Sequence, residues 1–294
     1  VEKQMIPDGD FPTVKSPNPE EKEGFVPGIE LAKKVGADLI IATDPDADRV
    51  GVAALVGDQV TLFTGNQIAA LLIDFIIQVQ KENGTLPVNS AVISTIVSSK
   101  MPKKICAENG VSYFEVLTGF KYIGEMMNRF KEEDSHQFLL GFEESYGYLA
   151  GDYARDKDAV VASMLIAQMA MYYKNKNKNL VQALEILYKT YGYFEEKTVS
   201  FKIEAVMPQQ RMDEIMSGLR GEIPAEMGGK KILEFRDYKA ELVKDLSTGK
   251  ERSTGLPKSD VLYYIFADGT HVAIRPSGTE PKVKAYFMAS GENR

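Results

Sequence analysis

The chain has 294 residues, 44% of them hydrophobic and 26% charged, with 35 Lys and Arg against 42 Asp and Glu for a net charge of −7. This composition excludes a wholly disordered chain and supports roughly two domains of about 150 residues each. The acidic balance argues against a surface that wraps nucleic acid, while leaving room for a local basic pocket for a small anion. Cys106 is the only cysteine, so no intrachain disulfide can form, and a cytoplasmic setting is expected. No stretch reaches the ~20 apolar residues of a membrane span; the longest, 68–79, is broken by Asp74 and Gln78. The opening Val1-Glu2-Lys3-Gln4 is neither a start methionine nor a signal peptide, so a piece of a longer protein is expected.

Residues 1–28, rich in Pro, Gly and acid, read as an irregular arm. A short helix over 29–35 stops at Gly36, and 37–42 form an apolar strand running into a polar loop. Segments 50–55 and 59–63 read as a hairpin around Gly57-Asp58. Ile68, Leu71, Leu72, Phe75, Ile76 and Val79 recur at helical spacing up to Asn83-Gly84. Strands at 88–97, 111–116 and 137–140 then alternate with helices at 102–108 and 120–130, which argues for a parallel α/β sheet. Helices follow near 158–173 and 180–191, separated by a polar Lys-Asn linker. From about residue 193 the pattern changes to a strand at 195–204, a helix at 208–219, and strands at 231–235, 261–266, 271–274 and 282–288. Strands without alternating helices suggest a separate, smaller α+β domain. Cys106 and the methionines at 164–171 read as helix packing, and His136 and His271 as loop and strand surface.

Three polar loops follow strand-like segments, where α/β sheets usually bind ligands. In Thr43-Asp44-Pro45-Asp46-Ala47-Asp48-Arg49, carboxylates at i, i+2 and i+4 can converge on one hard cation. Oxygen ligands suit Mg²⁺ or Ca²⁺ and do not favour zinc; with three protein ligands, Mg²⁺ keeps an open position and Arg49 offsets the residual charge. The plain alternative is an acidic surface turn. In Gly141-Phe142-Glu143-Glu144-Ser145-Tyr146-Gly147, two carboxylates and a hydroxyl can accept from sugar hydroxyls or act as an acid/base pair, or simply close a strand. In Arg275-Pro276-Ser277-Gly278-Thr279-Glu280, a guanidinium and two hydroxyls about a tight turn suit a phosphate, or form an ordinary hairpin turn. Thr118-Gly119-Phe120-Lys121 opens a helix, where amides attract anions. Lys157, between Asp156 and Asp158, is a proton carrier if desolvated and otherwise part of a solvated cluster. No G-x-S-x-G, P-loop or G-x-G-x-x-G signature occurs.

In this order the three loops resemble those of the α-D-phosphohexomutase superfamily of phosphoglucomutases and phosphomannomutases. The resemblance implies a Mg²⁺ loop at Asp44, Asp46, Asp48 and Arg49, a sugar-recognition loop with Glu143 and Ser145 as sugar contacts, and a phosphate loop of Arg275, Ser277, Gly278 and Thr279. Lys157 falls where the family has a lysine proposed as general acid/base, and Lys121 in a segment lining the same cleft. The implied fold is α/β: a remnant of the second family domain at 1–60, a third α/β domain at 61–192 and a C-terminal α+β domain at 193–294.

The implied reaction is a double phosphoryl transfer from a phosphoserine. It would interconvert glucose 1-phosphate and glucose 6-phosphate, with glucose 1,6-bisphosphate as intermediate and activator. The Glu-Glu-Ser form of the sugar loop favours glucose, with mannose and pentose phosphates as alternatives. The serine loop of the family is not found: Ser135-His136 is the only Ser-His pair and lacks the expected surroundings. The expected partner is therefore the N-terminal half of the same protein, and the isolated chain is expected to be inactive. A non-catalytic sugar-phosphate-binding module and a Mg²⁺-dependent phosphatase are the competing readings.

Overall fold

Local sequence chemistry sets most element ends. In the computed structural model, which describes residues 1–278 and 280–292, the arm forms turns and short 3-10 stretches before helix α1, Val26–Val35. This helix stops at Gly36, whose φ of 70° is the left-handed cap that glycine supplies without steric cost. Strands β1 (Leu39–Thr43), β2 (Val50–Val56) and β3 (Gln59–Phe63) form an antiparallel sheet in the order β1-β2-β3. Phe25, Ala32, Ile40 and Ala53 build the small core between this sheet and α1.

Helix α2, Gly65–Glu82, begins with a reciprocal capping box between Thr64 and Gln67. Ile68, Leu71, Leu72 and Ile73 are essentially fully buried, each contributing about 1.5–3 kcal/mol of hydrophobic stabilisation. The next elements are β4 (Ser90–Thr95), α3 (Met101–Asn109), β5 (Ser112–Val116), α4 (Phe120–Glu133), β6 (Gln137–Glu143), β7 (Gly147–Ala150), α5 (Ala159–Asn175) and α6 (Leu180–Tyr191). Their sheet has the order β5-β4-β6-β7. The three strands expected to be parallel are parallel, and β7 adds an antiparallel fourth that the sequence pattern did not separate from its loop. Ala91 and Ile93 of β4 face a core shared with Ile123, Met127 and Phe130 of α4. The alternate residues Val92 and Ser94 are equally buried, so a second layer covers the other face, where α2 packs on β6 and α3 on β5. Two expectations are corrected. The strand starts at Ser90, because Val88 is fully exposed, and of the α5 methionines Met169 is buried while Met164 and Met171 face outward.

The chain divides into two compact units, Val1–Gly192 and Tyr193–Arg294. The second holds β8 (Tyr193–Lys202), α7 (Pro208–Gly221), β9 (Glu226–Met227), β10 (Lys230–Asp237), β11 (Leu242–Asp245), β12 (Glu251–Ser253), β13 (Leu262–Phe266), β14 (His271–Pro276) and β15 (Lys282–Gly291). Its main sheet runs β12-β11-β10-β13-β14-β15-β8, all neighbours antiparallel, with β9 pairing β10. Met216 of α7 packs on Ile232, Phe235, Leu262 and Tyr264. This is the mixed α/β architecture followed by a smaller α+β unit that the sequence led one to expect. Among the described residues, no helix is long and apolar enough to cross a membrane.

Candidate functional site

The turn from β1 to β2 is wound around Asp44. Its Oδ1 accepts the backbone N–H groups of Asp48 (3.1 Å) and Arg49 (2.9 Å), and its Oδ2 accepts Arg49 Nε at 2.7 Å. Ala47 sits at φ 56°, a left-handed conformation costly for a residue with a Cβ. This folding brings one oxygen each from Asp44, Asp46 and Asp48 within 4.8 Å of one another. Two oxygens on one Mg²⁺ at about 2.1 Å lie at most about 4.2 Å apart, so a contraction of some tenths of an ångström closes the triad. Carboxylate-only donors and this spacing fit a hard divalent cation. Burial alone would raise the Asp44 carboxyl, but hydrogen bonds from Arg49 outweigh it and hold it below the ordinary value. Asp48 is displaced upward, first by burial and then by Asp44 beside it, against the pull of Lys157.

Two further segments meet this turn. Val50 N–H donates to Tyr146 O at 3.0 Å, and Arg49 bridges to Gly147, so the loop after β6 is latched to the start of β2. The first amide of α5, at Ala159, donates to Ala47 O at 2.9 Å, and Asp158 N–H donates to Tyr148 O. Lys157, just ahead of α5, therefore reaches the acidic turn: its Nζ lies 3.1 Å from Asp48 Oδ2 and 2.8 Å from Asp156 Oδ1. Burial pulls the ammonium down, but the two carboxylates more than offset this and hold it above its ordinary value. Gly147 makes this approach possible, since a Cβ there would lie 2.2 Å from Lys157 Cδ.

The loop after β6 is equally constrained. Glu143 is buried, and its Oε1 accepts the N–H of Gly119 at 2.8 Å. The anion expected at the start of α4 is thus this chain's own carboxylate, held where helix amides favour negative charge. Gly119 has φ 122°, a conformation open to glycine. Glu144 points elsewhere, its Oε2 accepting from Thr95 Oγ1 at 3.3 Å. Ser145 is half-buried. Lys121 is exposed in the first turn of α4, its ammonium 4.6 Å from the Tyr122 ring centroid.

In the second unit Arg275, one residue before the end of β14, stands opposite Lys284 of β15. Ser277 N–H donates to Lys282 O at 2.8 Å, closing the turn that carries Gly278. Thr279 lies outside the described residues. The structure therefore brings Asp44, Asp46, Asp48, Arg49 and Lys157 together, with the Glu143–Ser145 loop latched to them, and places Arg275, Ser277 and Gly278 in the other unit. Residue-type reasoning singled out the segments that hold Gly119, Gly147 and Asp156 without their supporting contacts, and it overlooked Thr95, which lies in a strand with no motif to mark it.

A fold of this kind, with an acidic strand-end turn joined to a carboxylate loop and a lysine, defines a class with known members. Sequence models of the phosphoglucomutase/phosphomannomutase family match in order: alpha/beta/alpha domain II at residues 1–57, alpha/beta/alpha domain III at 64–191 and the C-terminal domain at 222–294. The chain belongs to this family, the α-D-phosphohexomutase superfamily. A phosphoglucomutase of Staphylococcus aureus (strain bovine RF122) is 40% identical over 295 residues, covering 100% of this chain and 52% of that protein. One from Staphylococcus saprophyticus is 38% identical over 291 residues, covering 99% and 52%. The chain thus spans about half the length of the curated relatives it matches. The fold is shared with the open form of pp63/parafusin, a phosphoglucomutase from Paramecium, at TM-score 0.60 and 19% identity over 90% of this chain and 43% of that one. It is also shared with a phosphoglucomutase/phosphomannomutase family protein from Burkholderia thailandensis, at TM-score 0.60 and 18% identity over 97% and 49%.

Proposed function

We propose that this chain carries the metal, sugar and phosphate loops of a phosphoglucomutase that interconverts glucose 1-phosphate and glucose 6-phosphate through glucose 1,6-bisphosphate. The observation that carries the reading is the meeting of Asp44, Asp46, Asp48, Arg49 and Lys157 in one place, with the Glu143–Ser145 loop tied to the same turn by Val50 and Tyr146. In this reading residues 1–60 are the end of the second family domain, 61–192 the third, and 193–294 the C-terminal domain.

Asp44, Asp46 and Asp48 would hold Mg²⁺, which when bound supplies charge compensation to a transferring phosphoryl group. Arg49 adds a fixed positive charge beside it. Lys157 would move the sugar hydroxyl proton, accepting it as the neutral amine when the hydroxyl attacks and returning it from the ammonium when the oxygen departs. Glu143 and Ser145 would accept from and donate to the sugar hydroxyls, with Lys121 at the rim of the same loop cluster. Arg275, Ser277, Gly278 and Thr279 would hold the phosphate that does not react, which supplies the positioning that phosphoryl transfer depends on. The serine that gives and receives the phosphoryl group is assigned to a portion of the protein outside these 294 residues. A reducing cytoplasm suits the lone buried Cys106.

The test is a coupled assay for glucose 6-phosphate formed from glucose 1-phosphate, with Mg²⁺ and glucose 1,6-bisphosphate. It is run on the chain alone and then with the complementary half of a full-length relative. Activity in the second tube only supports the reading. Turnover by the chain alone would overturn the assignment of the nucleophile, and phosphate release in place of isomerisation would favour a phosphatase. Mannose 1-phosphate and ribose 1-phosphate in parallel tubes decide the sugar.

A further inference from the structure

Lys157 touches two carboxylates, and only one of them belongs to the acidic triad. Its Nζ stands 2.8 Å from Asp156 Oδ1 and 3.1 Å from Asp48 Oδ2. The side chain is confined, being 14% exposed, with its ammonium 5.3 Å from the centroid of the Phe120 ring. Its stem crosses Gly147 so closely that a Cβ at that position would fall 2.2 Å from Cδ and 2.8 Å from Cγ. The stem therefore lies in a slot formed by a glycine, and the slot ends at Asp48. Asp156 is largely exposed, outside the triad, and offers the ammonium a second carboxylate without any change of backbone.

Asp48 is consequently shared by two cationic demands. A carboxylate already paired with an ammonium at this distance is a poorer ligand for a divalent ion, and two cations on one carboxylate repel each other. We propose that Lys157 and the divalent ion are antagonists at Asp48: each weakens the hold of the other, and a seated ion transfers the lysine from Asp48 to Asp156 and the open side of the loop cluster. The inference rests on the assignment of Mg²⁺ to Asp44, Asp46 and Asp48. Such coupling is reciprocal, so lysine and ion weaken each other by the same factor. Its consequence is that the lysine assigned to proton transfer is released only when the charge compensation for phosphoryl transfer is in place.

Mg²⁺ binding to the full 294-residue chain is measured by isothermal titration calorimetry for the wild type, Lys157→Gln, Gly147→Ala and Asp48→Asn. Removing the competitor should tighten Mg²⁺ binding about tenfold, equal to about 1.4 kcal/mol. Gly147→Ala, which pushes the stem out of its slot and leaves the charge on the chain, should move the affinity in the same direction. Asp48→Asn should weaken it. No weakening in Asp48→Asn would mean that the metal assignment itself is wrong. Weakening there, with Lys157→Gln and Gly147→Ala no tighter than wild type, would overturn the antagonism and leave the metal assignment standing. A second readout is acylation of lysines by an N-hydroxysuccinimide acetate, followed by mass spectrometry, with exposed Lys131 as internal reference. Mg²⁺ should raise Lys157 labelling relative to Lys131; unchanged or reduced labelling would also overturn the proposal.

Discussion

Gly65→Ala sets two physical effects against each other at the base of the carboxylate loop. Gly65 is the first residue of α2, directly after the Thr64 cap. By helix propensity alone alanine is the better residue, by up to about 1 kcal/mol in a helix interior, so the substitution would be neutral or stabilising. The packing predicts the reverse. A Cβ at Gly65 would stand 2.2 Å from Glu144 O, 2.8 Å from Tyr146 N and 3.0 Å from Glu144 C. All three are backbone atoms, so no rotamer change relieves the clash. Carbon contacts are comfortable from about 3.5 Å, which requires the loop to retreat by more than about 1 Å. That retreat is opposed by the 3.0 Å bond from Val50 N–H to Tyr146 O and the 2.9 Å bond from Tyr148 Oη to Gly65 O. Overpacking of this kind costs about 1–3 kcal/mol, which exceeds the propensity gain. At about 2–4 °C per kcal/mol for a unit of this size, the melting temperature should fall by roughly 2–12 °C. In an active full-length protein, displacing Glu143 and Ser145 by about 1 Å should lower kcat/KM by about 10²-fold. Circular-dichroism melting of the chain, then kcat/KM on the full-length protein, reads both numbers. A Gly65→Ala variant that melts at or above the wild type would refute the claim that α2 fixes this loop.

Three further outcomes follow from the packing. Burial raises the Asp74 carboxyl above its ordinary value, against hydrogen bonds from Tyr173 and Gln78. A raised carboxyl binds more protons folded than unfolded, so its contribution to stability falls as pH rises above about 4; urea midpoints across a pH series should show this loss in the wild type and not in Asp74→Asn, and parallel curves would contradict it. Burial pushes the Cys106 thiol up to about 12, so a disulfide reagent at pH 8 should react with it only after unfolding, and rapid native labelling would show the α3 packing to be wrong. Arg220 of α7 ties down both Asp237, through Nε at 3.0 Å, and Asp260. Arg220→Met leaves Asp237, the more buried partner, with only the backbone N–H groups of Lys239 and Ala240, and should lower the urea midpoint by more than Asp260→Asn does; equal losses would argue against a buried pair.

The elements legible in the sequence are those specified by neighbours a few positions apart. The spacing of Ile68, Leu71, Leu72 and Phe75 marks α2, Gly36 and Gly110 stop α1 and α3 in left-handed caps, and Gly57-Asp58 turns β2 into β3. Strand β7 was not legible, because Gly147-Tyr148-Leu149-Ala150 is too short to show a period and becomes a strand only through its ladder with β6. The same holds for β11 and β12, short and half-polar, which owe their conformation to β10. The outward-facing Met164 and Met171 were misread because α5 is apolar nearly all round, so its composition does not say which side is covered.

What the sequence determined by itself is the chemistry on offer: three carboxylates at alternate positions in one strand-end turn, a glycine-bounded carboxylate loop, and an arginine-hydroxyl turn near the chain's end. These are local patterns, and local geometry suffices to converge them, as the winding of residues 44–49 around Asp44 demonstrates. The tertiary structure decided how those groups are used. Only the strand order β5-β4-β6-β7 places Glu143 at the amide of Gly119, and only the latch of Val50 to Tyr146, with Ala159 on Ala47, delivers Lys157 to Asp48. Such pairings join residues far apart in the chain, and no periodicity encodes a partner at that distance. They arise when the sheet buries its apolar faces and leaves one arrangement for the polar groups at its end.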